Sequence, residues 1–194
     1  YDGTTPLVNP MCGSGTLAIE AALIATNRAP GLLRPDYAVT KTAWEVQDLW
    51  QSVRTRVRKS GGASAPPIVA SDHDPRAVEA ARKNAQAAGV DHLIRFVECD
   101  FRATPIPDGP GHVILNPEYG QRMGDEAELG ETYAAIGDFF KQRCPGWTGH
   151  VFTGSPHLAK RIGLRAGRRL PFHNGGIECR LLTFDLYEGA RAPA

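Results

Sequence analysis

Short apolar segments alternate with helix-like segments along this chain, and the alternation restricts the fold more than any other feature. Residues 15–26 and 76–88 have apolar side chains at helical spacing, and each lies between two apolar runs. The runs that predict strands are 6–9, 68–71, 94–99, 112–115 and 149–153. Strands that alternate with helices predict an α/β fold with a mostly parallel, doubly wound sheet, in which ligands bind beyond the carboxyl ends of the strands.

The end of the chain follows a different pattern. Two strand-like runs near 168–172 and 177–187 flank the glycine-containing turn 173–176, which predicts a C-terminal antiparallel hairpin. Further helices are predicted over 40–59 and 131–143, and from Ser155, a helix-capping residue, to about Leu164.

Composition bounds the class of protein. The 194 residues are enough for a single α/β domain, which we assign to 1–194, and the formal net charge is only +1. A free-standing nucleic-acid binder usually carries a clear basic excess, so RNA affinity would need a further domain. No apolar run approaches the length of a membrane span. The four cysteines form no C-x-x-C pair, so we expect no metal site. They are scattered singly along the chain, so we expect them to be reduced thiols and the protein to be cytoplasmic.

A glycine turn follows the first predicted strand. It covers Asn9, Pro10, Met11, Cys12, Gly13, Ser14, Gly15 and Thr16. Two glycines one residue apart let a backbone turn sharply and approach a ligand, and the next helix directs its N-terminus at that ligand. With Ala18 the motif also fits the dinucleotide pattern Gly-x-Gly-x-x-Ala, so a nicotinamide cofactor is an alternative, as is a plain structural turn.

Acidic residues follow the next two strands. Asp72 stands where a carboxylate can accept the two hydrogen bonds of a ribose diol, whereas Asp74 precedes Pro75 and is predicted to cap the next helix. Asp100, after the third strand, could accept from an adenine amino group. The predicted cofactor contacts also include the adjacent His73 and Phe101. The alternative is that these carboxylates only cap helices or lie in solvent.

The segment Asn116-Pro117-Glu118-Tyr119 follows the fourth apolar strand and indicates chemistry. The lone pair of an exocyclic amine on a base is delocalised into the ring, so such an amine is a poor nucleophile. The Asn116 side-chain oxygen and the Pro117 carbonyl could accept its two N–H bonds and hold the nitrogen toward a methyl donor. Tyr119 offers a flat face for an extruded base. The alternative is a proline turn with an exposed tyrosine.

Charged residues in or just after the motif, and between the last predicted helix and the hairpin, are candidate RNA contacts. Arginines can neutralise phosphates and Glu118 could repel them, although charge runs are more often solvated faces. The candidates are Glu118, Arg122, Arg165, Arg168 and Arg169.

Taken together, these motifs resemble the bacterial THUMP-associated rRNA methyltransferases, and most closely the RlmL-type enzymes, which methylate a guanine N2 in large-subunit ribosomal RNA. The resemblance covers nearly the whole chain. It rests on the glycine turn with Ile19-Glu20-Ala21-Ala22, and on four later segments. These are Asn27 to Gly31, Asn116 to Gly124, Ser155-Pro156 and Asn174 to Cys179.

The resemblance implies a Rossmann-like class I methyltransferase fold that uses S-adenosylmethionine. Gly13 to Gly15 would hold the methionine part, Asp72 the ribose and Asp100 the adenine, with Asn116 touching both cofactor and target base. It also implies an RNA-binding THUMP region upstream and ribosomal RNA as partner. Two departures stand out, since the family usually has Asp where this chain has Asn9 and a second proline where it has Glu118.

Three other functions stay open on the residues alone. An adenine-N6 methyltransferase acting on DNA or RNA would use the same amine clamp. A nicotinamide oxidoreductase would use the glycine turn but leave Asn116 unexplained. A non-catalytic module that binds S-adenosylmethionine or RNA is suggested by Asn9 and Glu118.

Overall fold

The fold is a seven-stranded sheet with helices on both faces, seen in a computed structural model that describes residues 1–34, 37–42, 46–59, 61–62, 64–119 and 126–187. The strands are β1 (Leu7–Pro10), β2 (Ile68–Asp72), β3 (Ile94–Glu98), β4 (His112–Leu115), β5 (Thr148–Thr153), β6 (Arg168–Asn174) and β7 (Ile177–Asp185). The helices are α1 (Thr16–Ala25), α2 (Gln47–Lys59), α3 (Pro75–Ala88), α4 (Glu126–Arg143) and α5 (Pro156–Arg161).

The strand order is β3-β2-β1-β4-β5-β7-β6. Strands β1 to β5 are parallel, whereas β7 is antiparallel to both β5 and β6. The predicted class, a mostly parallel doubly wound sheet with a C-terminal antiparallel hairpin, is therefore confirmed.

Each face of the sheet carries its own apolar core, because successive side chains of a strand point to opposite faces. On one face, α1 and α3 pack alanines such as Ala22 and Ala85 against Leu7 and Ile68. On the other face, α4 and α5 cover Val8 and its neighbours with larger side chains, including Tyr133, Ile136, Phe140, Leu158 and Ile162. The small residues bring α1 and α3 close to the strands that carry the glycine turn.

Some predicted boundaries differ from the structure. The predicted helix 40–59 begins only at Gln47, and a 3-10 turn occupies Ala38–Lys41. Helix α4 begins at Glu126 rather than 131. The hairpin turn is tighter than predicted, because pairing continues to Asn174 and Ile177 and leaves only two glycines between the strands.

Candidate active site

The chain adds strands in one direction from β1 to β3 and then returns to place β4 on the other side of β1. The predicted site residues lie near this reversal. Strand β1 pairs with β2 on one side and with β4 on the other, and their following segments leave the sheet at its carboxyl edge. A crevice at such a switch point is the usual ligand site of an open α/β sheet. The glycine turn after β1 and the Asn116 segment after β4 therefore flank the same crevice.

The glycine turn has a left-handed backbone at three positions. Met11 has φ 53°, Gly13 φ 53° and Gly15 φ 82°. A left-handed methionine is strained, and such strain is concentrated at functional sites. The Cys12 amide donates to the Ser71 carbonyl at 2.9 Å, which ties the turn to the end of β2.

The two glycines have different surroundings. A Cβ on Gly13 would meet no atom within 4 Å, so this side of the turn is open. A Cβ on Gly15 would lie 2.8 Å from the Ala81 Cβ of α3. The close approach that requires Gly15 is therefore to a helix, whereas Gly13 faces space that a ligand could fill.

Asn9 is almost fully buried and joins β1 to β4. Its Nδ2 donates to the Ile114 carbonyl at 2.9 Å and to the Pro10 carbonyl at 3.4 Å. Its Oδ1 is buried without a hydrogen-bond partner. An asparagine can donate to these two carbonyls, whereas an ionised aspartate could only accept. Asn9, where the family usually has Asp, therefore adds hydrogen bonds to the Ile114 and Pro10 carbonyls that an ionised Asp could not make.

Asp72 organises the crevice. Its Oδ2 accepts from the Gly13 amide at 2.9 Å, and its Oδ1 accepts from the Asp74 amide at 3.0 Å. His73 is mostly exposed beside it, with Nδ1 3.5 Å from Asp72 Oδ1. Asp74 caps α3 by accepting from the Arg76 amide at 2.9 Å, as its position before Pro75 predicts.

Asp100 already has a cationic partner. Arg102 donates from Nε and Nη2 to the two carboxylate oxygens, both at 2.8 Å, and this bond with Arg102 lowers the pKa of Asp100 to about 2. The carboxylate therefore stays ionised and accepting at neutral pH. The Phe101 ring packs in the core against Phe139, so only its main chain could reach a ligand.

The segment after β4 presents Asn116 to solvent. Its side chain is exposed and makes no hydrogen bond to any residue that the structure describes, while Pro117 is buried. The Glu118 carbonyl accepts from the Tyr133 hydroxyl at 3.4 Å, and that hydroxyl also lies 2.7 Å from Thr153 Oγ1. Burial raises the pKa of Tyr133 to about 12, so the hydroxyl keeps its proton. The Glu118 carboxylate itself is exposed.

The terminal hairpin fixes Tyr119. Asn174 Nδ2 donates to the Tyr119 hydroxyl at 3.1 Å, and Cys179 Sγ lies 3.5 Å from it. The ring meets Phe152 edge to face at 6.2 Å between centroids. Burial, together with the Cys179 contact, raises the pKa of Tyr119, so it stays protonated. Sequence reasoning quoted the Asn174–Cys179 segment only as a resemblance and assigned it no role in the site.

The candidate RNA residues are only partly brought together. Arg165, Arg168 and Arg169 are all exposed, and Arg169 lines a cavity beside α5. Arg122 lies outside the described residues. Across the described part of the chain, no cluster of three metal-ligating side chains occurs and no helix is long and apolar enough to cross a membrane.

Comparison with known proteins decides the family. The model of the UPF0020 family, described as the RMKL-like methyltransferase domain, matches residues 1–183. The chain belongs to this methyltransferase family. Among similar relatives is the ribosomal RNA large subunit methyltransferase K/L of Syntrophotalea carbinolica, 42% identical over 96% of this chain and 28% of the relative.

Solved structures support the same methyltransferase-like fold. SMU.472, solved in complex with SAH, superposes with TM-score 0.87 at 28% identity over all of this chain and 50% of that one. A "predicted N6-adenine-specific DNA methylase" of Listeria monocytogenes gives 0.82 at 29% identity over 95% of this chain and 47% of that one. The methyltransferase domain thus spans half or less of these proteins.

Proposed function

We propose that this domain transfers a methyl group from S-adenosylmethionine to the exocyclic N2 of a guanine in large-subunit ribosomal RNA. The observation that carries the proposal is the position of Asn116, an exposed amide that follows β4, the strand paired with β1, which leads into the open turn at Gly13. Family membership and the K/L relative support this reaction.

The crevice residues fit S-adenosylmethionine. Gly13 leaves open space over the turn, and the orphan Oδ1 of Asn9 is an acceptor suited to the cofactor's ammonium group. Asp72 accepts two amide bonds but retains lone pairs for a ribose diol. The binding of SAH by SMU.472 supports the same cofactor.

The contribution of Asp100 to cofactor binding is limited by its partner. Its oxygens can accept from an adenine amino group only while sharing their lone pairs with Arg102. His73 sits close enough to Asp100 to lower its pKa further and is exposed beside the same crevice. We assign His73 and the Phe101 main chain to the adenine side of the site.

The cofactor supplies an electrophilic sulfonium methyl, and the protein positions the nucleophile. Asn116 Oδ1 and the Pro117 carbonyl accept the two amine N–H bonds, which directs the nitrogen lone pair toward the methyl group. Tyr119, held by the hairpin, stacks on the extruded base. As the N–C bond formed, the C–S bond would break and release S-adenosylhomocysteine, and the methylated nitrogen would lose one proton to solvent. Such an in-line displacement needs orientation rather than a strong base, so positioning supplies most of the rate.

Two measurements test this proposal. Calorimetry should detect S-adenosylmethionine but not NAD, and labelled methyl transfer should occur on large-subunit rRNA but not on duplex DNA. Asn116→Ala should retain cofactor affinity and lose turnover by at least about a hundredfold, since it removes an orienting acceptor. A wild-type protein that binds cofactor in a full-length context and never transfers methyl would favour the non-catalytic module.

A second candidate is adenine-N6 methylation, supported by the Listeria structure at 29% identity. The amine clamp serves either base, so the discriminating result is the modified nucleoside. Labelled N6-methyladenine in DNA or RNA would replace guanine N2 as the product while leaving the role of Asn116 unchanged.

A further inference from the structure

A cavity of about 690 Å³ lies beside the candidate active site, between α5, the loop after it and β7. Its floor is apolar and is formed by Ala159, Leu164, Ala166 and Leu182, all of which pack in or against the α4–α5 core. The volume is within the range of small-ligand pockets, about 300 to 1,000 Å³. Of the residues given roles above, only Arg169, a candidate RNA contact, lines this cavity.

The rim of the cavity is cationic. Lys160, Arg169 and Arg180 line it, against one carboxylate, Glu178. Arg180 pairs with Glu178 at 3.3 Å, whereas Lys160 and Arg169 form no ion pair with any residue in the described ranges. Two cations that have no ion pair within the described part of the chain, over an apolar floor, fit a ligand with an anionic group and a flat apolar body.

The cavity also adjoins the catalytic segment. Gly154 lines it, and a Cβ on Gly154 would lie 2.8 Å from the Tyr119 ring and 2.9 Å from Ile177. An RNA chain whose target base stacked on Tyr119 would therefore have a flanking nucleotide close to this cavity.

We propose that this cavity binds an unpaired nucleotide of the RNA that flanks the target nucleotide. Its base enters the apolar floor, and its phosphate binds Lys160 and Arg169. The location beside Tyr119 rests on the proposed function, but the nucleotide chemistry rests on the rim and floor alone. Single-stranded RNA is favoured because a base can enter a pocket only when it is unstacked.

The test measures RNA binding directly, by fluorescence anisotropy with a labelled oligouridylate and with duplex RNA of equal length. The double variant Lys160→Ala/Arg169→Ala should weaken oligouridylate binding about tenfold or more and reduce its salt dependence. The control Lys83→Ala/Arg95→Ala removes equal charge near the opposite sheet edge, where both side chains are exposed, and should change affinity less than threefold.

The floor is tested separately with Ala166→Phe, which places a bulky ring on the apolar floor without changing charge. It should weaken oligouridylate binding about tenfold, because one base could no longer bury its apolar surface on the floor, while duplex binding and the melting temperature stay near wild type. The proposal is overturned if the wild type does not bind the oligomer. It is equally overturned if Ala166→Phe binds normally, if the control loses as much as the rim variant, or if polyglutamate competes as well as RNA.

Methyl-transfer assays separate this proposal from the proposed function. If neither cavity variant changes turnover on rRNA, the cavity proposal is wrong and the proposed function is unaffected. RNA binding that depends on the cavity residues, without any methyl transfer, supports the cavity proposal and contradicts the proposed function.

Discussion

The sharpest expectation concerns the two glycines of the turn, which differ in what an added methyl group would meet. Gly15→Ala places a Cβ 2.8 Å from the Ala81 Cβ at a left-handed φ of 82°. The left-handed backbone costs about 1–2 kcal/mol for an L-residue, and overpacking costs about 1–3 kcal/mol. We therefore expect Gly15→Ala to lower the free energy of unfolding by about 2–5 kcal/mol.

Gly13→Ala is the matched comparison. Its φ of 53° is also left-handed, but its Cβ would meet nothing within 4 Å, so only the backbone cost of about 1–2 kcal/mol applies. If the open space at Gly13 holds the cofactor, this variant should raise the dissociation constant of S-adenosylmethionine about tenfold or more. Gly13→Ala should therefore lose less stability than Gly15→Ala and yet show the larger specific loss of cofactor affinity.

Urea denaturation and calorimetry on both variants measure the two effects. A third variant, Gly15→Ala/Ala81→Gly, removes the colliding methyl and should recover part of the loss after correction for about 1 kcal/mol of glycine in a helix. Equal destabilisation by the two single variants, or no recovery in the double variant, would refute the packing argument. Unchanged cofactor affinity in Gly13→Ala would refute the assignment of the open space.

Three further outcomes follow from the contacts. Asp72→Asn replaces one of two acceptor oxygens by a donor, so urea melts should show a loss of about 1–3 kcal/mol, and an unchanged midpoint would contradict its organising role. Asn174→Ala removes a donor to Tyr119 from an exposed side chain; turnover should fall severalfold while stability changes by less than about 0.5 kcal/mol, and unaltered turnover would argue against hairpin control. Burial lowers the pKa of His150 to about 4, below its usual value near 6.5, so the unfolded chain binds the proton first. Stability from neutral His150 is complete above pH about 6.5 and is lost as pH falls toward 4, by at most about 3 kcal/mol, and urea melts of His150→Gln should show a flatter slope over that range.

The sheet could be predicted from the sequence because buried parallel strands are short apolar runs punctuated by glycine, proline and capping residues. Asp74 as cap of α3 is an example, since an aspartate before Pro75 has both the acceptor and the helix start in sequence. The start of α4 was misplaced because residues 126–130 carry little apolar periodicity.

The sequence predicted which candidate residues follow the strands at the carboxyl edge of the sheet, but it predicted less about the side chains that these residues contact. The carboxyl ends of parallel strands meet at one edge, so Asp72 and Asn116 could be brought together from order alone. That Gly15 contacts α3 depends on tertiary packing that no local pattern encodes, and that Arg102 holds Asp100 depends on side-chain rotamers. Arg102 lies two residues from Asp100, so a short-range ion pair was the one signal available.

The C-terminal hairpin contacts the segment that carries the proposed catalytic residues. The Tyr119 hydroxyl contacts Asn174 and Cys179, which lie beyond the last helix. The Glu118 carbonyl accepts a hydrogen bond from Tyr133 of α4. Residues 118 and 119 are therefore held by α4 and by the hairpin, which would preorganise the proposed stacking face of Tyr119. A proline at position 118 would keep that carbonyl, because proline lacks only the N–H. Glu118 thus preserves the carbonyl contact with Tyr133 while adding an exposed charge, so under the proposed function we expect Glu118→Pro to change RNA affinity more than stability.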